Sequence, residues 1–250
     1  MSSTTKTIVF ITGVRQGIGR HLLQTYLTRP NHTVIGTVRN PDTISELQSL
    51  PAATGSKPLI VSIENTSATD QTKALTLIKD NGIEHIDIFI ANAGSIPPPK
   101  NLDSVMPEDL ASAFAINASS AVLFFQTFKA LLKKSSSPKW VSVSTFGGSV
   151  GFMPTINSFE APAYGASKAA LNWLTEAIHH SQEWMVVLCV HPGHVQTGPG
   201  NMFAKGIGME KAPNTVEECT SNLMSLIDKA TREEHGGKFI DNMSGGVLPW

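Results

Sequence analysis

The chain has 250 residues, 41% of them hydrophobic, with a net charge of −1 and a sequence pI near 6.7. That length can bury a sizeable core in one domain spanning 1–250, and the near-neutral balance leaves no electrostatic footprint for nucleic acid or an anionic membrane. Its two cysteines cannot make a disulfide framework, and no apolar run reaches the roughly 18 residues of a membrane span. With a polar N-terminus as well, a reducing cytoplasm is the expected compartment.

Thr7 to Ile11 reads T-I-V-F-I, an apolar, β-branched run suited to a buried parallel strand. It enters Thr12-Gly13-Val14-Arg15-Gln16-Gly17-Ile18-Gly19, after which Leu22, Leu23, Tyr26 and Leu27 recur at helical spacing. Strand, glycine turn and helix in that order aim backbone N–H groups and the helix dipole at one point, which suits a pyrophosphate. A tight turn needs glycine on steric grounds too, so the loop alone decides little. Strands are expected at 7–12, 33–38, 59–63, 86–91, 139–144, 185–191 and 238–241. Helices are expected near 17–28, 42–50, 67–81, 104–116, 118–133, 164–181 and 215–230, with Pro41 at a helix start and capping-box spacing at Thr215 to Glu218. The alternation predicts an α/β chain: a doubly wound Rossmann-type domain, its seven-stranded parallel sheet covered by helices on both faces. The turn-rich segments 95–103, 146–163 and 196–214 follow strand ends, where such sheets bind ligands.

Tyr164 and Lys168 stand four residues apart at the start of a helix, so they project from one side. A cation beside a phenol favours phenolate, so the pairing predicts a tyrosine pKa lowered toward neutrality. Glycine loop and Tyr-x-x-x-Lys together, in this order, resemble the short-chain dehydrogenase/reductase superfamily. Asn92-Ala93-Gly94 after a strand, Asn117 in the next helical region, the hydroxyl-bearing strand end Ser144-Thr145 and the run Pro192-Gly193-His194-Val195-Gln196-Thr197 match further stations of its pattern. Within the superfamily the chain looks most like the fungal ketoreductases similar to norsolorinic acid ketoreductase.

The resemblance implies an NADP(H)-binding oxidoreductase that reduces a small-molecule carbonyl and assembles as a homo-oligomer. Tyr164 would carry the proton, Lys168 would anchor the nicotinamide ribose, and Asn117 would support Lys168 through a water relay. Gly13, Arg15, Gln16, Gly17, Ile18 and Gly19 would hold pyrophosphate. Ser62 and Ile63 would stand at adenine, and Asn92, Ala93, Gly94, Pro192, Gly193, Val195 and Thr197 along the nicotinamide half. Cofactor choice can be read from the second strand, which ends Thr37-Val38-Arg39. It lacks the carboxylate that a ribose 2′-OH would need, while Arg39 and Arg15 suit a 2′-phosphate, so NADPH is expected over NADH. Gln16 stands where many NADPH-preferring relatives have a cation, and Ser62 where relatives often have an adenine-contacting aspartate.

At the fifth strand, Thr145 occupies the position of the relatives' catalytic serine, with Ser144 one residue earlier. Successive strand residues face opposite ways, so only one can point into the site; register favours Thr145. The long segment that follows carries Phe146, Phe152, Met153, Ile156 and Phe159, either loop core or the wall of an apolar pocket for an aromatic or polyketide-like carbonyl. The histidines show no metal-ligand spacing, so no metal is expected. His194 is expected to face substrate or to serve loop structure. Two rival functions remain open: non-redox chemistry (isomerisation, dehydration or cyclisation) with NADP(H) as scaffold, and a silent cofactor sensor. Intact Tyr164, Lys168 and Asn117 oppose the latter.

Overall fold

A computed structural model describes residues 6–98, 100–156 and 160–250. β1 (Thr7–Ile11) leads through the glycine turn into α1 (Gly17–Leu27), followed by β2 (His32–Val38), α2 (Ile44–Gln48), β3 (Lys57–Ser62) and α3 (Ala68–Asp80). β4 (Ile88–Ala91) gives way to α4 (Pro107–Phe114), α5 (Ser120–Leu132), β5 (Lys139–Val143), α6 (Met153–Ile156) and α7 (Pro162–Ser181). β6 (Val186–His191), α8 (Gly198–Gly206), α9 (Val216–Lys229), β7 (Lys238–Asp241) and β8 (Val247–Leu248) complete the order.

All strands join one sheet in the order β3-β2-β1-β4-β5-β6-β7-β8. β1 to β7 pair in parallel, as the alternation of strands and helices predicts. The expected seven-stranded sheet has an eighth member: β8 turns back antiparallel on β7, setting Leu248 beside Phe239. Two residues carry no period to read, so this edge was not visible in the sequence pattern. The segment 196–214, expected as loop, likewise contains α8. Thr197 caps that helix by accepting from the Gly200 N–H, and Pro199 sits in its first turn, signals that its glycines obscure.

Alternate strand residues go to opposite faces. Ile8 and Phe10 pack with α3, α5 and α7, while Val9 and Ile11 pack with α1 and α9. On the first face Phe10 stacks on Phe89 at 4.5 Å and Phe89 on Trp140 at 4.4 Å, an aromatic row across β1, β4 and β5. The two helices expected at 104–116 and 118–133 form one run, joined through a π-helical segment, Ala115–Ser119. By length and composition the run Pro107–Leu132 would match a membrane span. Its Phe124, Phe125, Phe128, Leu131 and Leu132 fill the core over the sheet.

Chain order reverses between β1 and β4, the topological switch at which open α/β sheets gather ligand-binding loops. Thr12, just past β1, accepts from the N–H groups of both Asn92 and Ala93 at 2.9 and 2.8 Å. Asn92 Nδ2 donates back to the Thr12 carbonyl at 2.9 Å. The glycine loop and the N-A-G segment are thus one braced unit.

Candidate active site

Each glycine of the first loop has its own steric reason. Gly13 and Gly17 have φ of 73° and 59°, a left-handed backbone that suits glycine. A Cβ on Gly19 would collide with the Gly13 carbonyl and stand 2.5 Å from Asn92 Nδ2. The turn is pinned from β2, where the Thr37 hydroxyl accepts from the Gly13 N–H at 3.0 Å. Gln16 begins α1 without a side-chain cap and no acidic residue lies in the first turn, so the end of the dipole is left for an anion. From the far side, Thr197 brings a methyl group to 3.2 Å from where a Gly17 Cβ would be. The run after β6 therefore closes on the glycine loop, with Gly193 at φ 95° and Val195 buried beneath it. This cradle, bare of side chains at its centre, fits a dinucleotide.

At the end of β2, Val38 is buried in the core while Arg39 is exposed. Arg39 and Arg15 enter no ion pair among the described residues, whereas neighbouring Arg20 is taken by Glu46 at 2.7 Å. The exposed Ser62 hydroxyl donates to the Arg39 carbonyl at 3.3 Å. Ile63 is enclosed in the core and its N–H is given to Val38, so only its main-chain oxygen is left to offer a ligand.

Across the switch, α7 carries Tyr164 half-buried and Lys168 buried, one turn apart. Lys168 Nζ donates to the Val143 carbonyl at 2.9 Å, and burial brings its pKa down to about 8. Tyr164 moves opposite to the sequence expectation: desolvation pushes the phenol up to about 12. The cause is geometric. The Lys168 ammonium is held at the end of β5, and burial alone raises the phenol. At neutral pH the phenol carries its proton, but the raised pKa makes it a weaker acid than a free tyrosine, so proton transfer from it requires stabilisation of the phenolate.

Asn117 lies in the π-helical segment, a helix form that recurs at functional sites. Its Oδ1 accepts from the Ser95 N–H at 2.8 Å, and its Nδ2 donates to the Ser95 carbonyl and the Ser167 hydroxyl, both at 2.9 Å. Asn117 and Lys168 flank Gly94 from two sides: a Cβ there would stand 3.1 Å from Asn117 Oδ1 and 3.5 Å from Lys168 Nζ.

Ser144 and Thr145 part as the register requires. Ser144 is buried and donates to Asn172 Oδ1 at 2.5 Å. Thr145 is partly exposed; its hydroxyl accepts from the Gly147 N–H at 3.2 Å and keeps its own hydrogen for another acceptor. The segment beyond is tied to the C-terminal residues: Ser149 donates to the Pro249 carbonyl at 2.6 Å and Gly151 to that of Trp250 at 2.8 Å. Phe146 packs edge-on against His191 at 4.2 Å and Phe152 against Phe146 at 6.2 Å, so part of this apolar segment is loop core. Met153 and Val150 are exposed, and Phe159 lies outside the described residues. His191 is buried and neutral, its pKa lowered to about 4 by desolvation. His194 serves the loop, with Nε2 2.9 Å from the Gly200 carbonyl. Beside Tyr164, a small cleft is lined by Pro97, Pro98, Val105 and Ala161.

A family profile described as short chain dehydrogenase matches residues 7–224. This chain belongs to the short-chain dehydrogenase family. It is therefore an oxidoreductase of a family that works with nicotinamide cofactors. A short-chain dehydrogenase of Neurospora crassa, srdF, is 47% identical over 100% of both chains. Norsolorinic acid ketoreductase of Aspergillus parasiticus is 32% identical over 98% of this chain and 92% of its own. In three dimensions, NADPH-bound carbonyl reductase from chicken fatty liver superposes with a TM-score of 0.86, covering 98% of this chain and 95% of that one at 24% identity, a likeness of fold. The sequence pattern of this short-chain dehydrogenase does not single out Thr12, Thr37 or Asn172. The first two sit at the expected strand ends, where a polar residue following an apolar run was the available signal; Asn172 gave none beyond its helical spacing from Lys168.

Proposed function

We propose that this enzyme is an NADPH-dependent ketoreductase acting on an apolar, polyketide-like carbonyl compound. The observation that carries the reading is the placement of Tyr164, half-buried on α7, one helical turn from buried Lys168. Bound NADPH would supply the hydride to the carbonyl carbon. Gly13, Gly17, Gly19 and the start of α1 would hold its pyrophosphate, Arg39 and Arg15 its 2′-phosphate, and Lys168 its nicotinamide ribose. Tyr164 gives its proton to the carbonyl oxygen as negative charge develops there. Lys168, protonated at neutral pH, stabilises the phenolate left behind. The Thr145 hydroxyl donates to the same oxygen, acting where charge appears. The likeness to norsolorinic acid ketoreductase supports a ketone substrate, and the exposed apolar groups Ile96, Met153, Met202 and Phe203 on segments that follow the strand ends support an apolar one.

Incubation with a panel of aryl and aliphatic ketones tests this reading. One alcohol formed per NADPH consumed is expected, with aryl ketones preferred. Product formed without NADPH loss would replace the reading with non-redox chemistry.

A further inference from the structure

Asn172 lies one turn beyond Lys168 on α7, so Tyr164, Lys168 and Asn172 follow one another along one side of the helix. Its amide is buried and engaged at both ends. Oδ1 accepts from the Ser144 hydroxyl at 2.5 Å and from the Cys189 thiol at 3.3 Å, and Nδ2 donates to the Gly148 carbonyl at 3.2 Å. These partners come from the end of β5, from β6 and from the turn after β5. Thr145 is therefore bracketed by residues that Asn172 holds: Ser144 directly before it, and Gly148 across the turn that its own carbonyl closes by accepting from the Gly148 N–H at 2.9 Å. The turn is pressed against α7 at Lys168, since a Cβ on Gly148 would stand 2.6 Å from Lys168 Cβ.

A buried amide is costly where only filling is needed, because each polar atom must find a partner or lose its hydration uncompensated. Here two of the three partners, Ser144 and Gly148, bracket Thr145, while Cys189 sits deeper in the sheet, opposite Ser142. We propose that Asn172 is a positioning residue for the reaction: by fixing Ser144 away from the site and anchoring Gly148, it sets the direction of the Thr145 hydroxyl relative to the Tyr164 phenol. The inference rests on the ketoreductase reading, in which both hydroxyls meet one carbonyl oxygen. Such convergence tolerates only about 0.5 Å of misplacement. Loss of the anchor thus lowers turnover more than binding.

The test is a double-mutant cycle on ketone reduction with wild type, Thr145→Val, Asn172→Ala and the double variant, together with amide hydrogen exchange across residues 144–149. Asn172→Ala is expected to lower kcat about tenfold, to move KM for NADPH and ketone less than about threefold, and to speed exchange at Gly148 and Ser149. The double variant is expected to match Thr145→Val within about twofold, because the anchor then has no hydroxyl left to aim. Fully additive losses would overturn the proposal, as would unchanged exchange at Gly148. A wild type that reduces no ketone would instead remove the ketoreductase reading, and with it the proposed role, even where the exchange arm finds the anchor. Should Asn172→Ala fail to fold, Asn172→Asp serves: its neutral acid can still donate to Gly148, whereas its ionised form repels that carbonyl. Turnover of this variant is expected to gain a falling limb as pH rises, and a pH profile identical to wild type would contradict the role.

Discussion

Ser144 and Thr145 differ by a methyl group in chemistry and by opposite orientation in space. Thr145→Val keeps the shape and deletes the donor, so kcat is expected to fall about 10²–10³-fold with the fold intact. Ser144→Ala is expected to leave turnover far less affected and to cost about 1 kcal/mol of stability, since Asn172 Oδ1 retains only the Cys189 thiol. Steady-state rates and denaturant midpoints of the two variants check this; a crippled Ser144→Ala with an active Thr145→Val would contradict it. Lys168 makes a separate prediction about stability. Its folded pKa of about 8 lies below the ordinary 10.5, so between those values the unfolded chain binds more protons than the folded one. Stability therefore rises with pH across that window, and the cost of burying the ammonium is fully present below pH 8. Lys168→Met is expected to abolish turnover, to raise the melting temperature at pH 7 by relieving up to about 3 kcal/mol, and to flatten the rise above pH 8. A lower melting temperature at pH 7 would show that the bond to Val143 outweighs desolvation. At this scale the sequence told much: the four-residue spacing of Tyr164 and Lys168 and the alternation at Ser144 and Thr145 follow from backbone geometry alone. The direction of the Tyr164 pKa did not, because it depends on a burial that only the folded chain sets. Asn172 was equally hidden, since an asparagine on a helix reads as part of a polar face until its three partners are seen.

Helix α7 carries Tyr164 and Lys168, so its anchoring bears on the candidate site. Its C-terminus receives the guanidinium of Arg232, which donates to the carbonyls of His179, Gln182 and Met185 at 3.0, 3.2 and 2.9 Å. A cation on carbonyls at a helix end also complements the dipole. Arg232→Ala is expected to cost about 1.5–3 kcal/mol and to lower the melting temperature by roughly 4–10 °C, with kcat per folded molecule unchanged. A thermal scan beside a rate measurement decides; an unshifted melting temperature would mean the contacts are idle. Long, strongly periodic elements such as α1 and α7 were legible in the sequence to within about two residues. The short ones were not. β8 depends on a hairpin onto β7, α6 on a single turn, and the ties from Ser149 and Gly151 to Pro249 and Trp250 join segments about a hundred residues apart, which no local pattern records.

The whole molecule brings its loops together at one edge because chain order reverses between β1 and β4. Candidate site residues from the glycine loop, the N-A-G segment, the end of β5 and the run after β6 meet there without any being near in sequence. The proposed preference for NADPH belongs to this scale, as it draws on the ends of β1, β2 and β3. Arg39→Ala is expected to weaken NADPH by about 1.5–3 kcal/mol and to leave NADH unchanged within about twofold, as measured by fluorescence titration. Equal affinity of the wild type for the two cofactors would end the 2′-phosphate argument.

The central claim, that Tyr164 gives a proton to a substrate carbonyl while the rest of the site holds cofactor, is tested most directly by Tyr164→Phe. NADPH affinity and single-turnover ketone reduction are measured on the same preparation. NADPH binding within about twofold of wild type and reduction slowed about 10²–10⁴-fold are expected, since only the proton donor is lost. Near-normal ketone reduction by Tyr164→Phe would contradict the account.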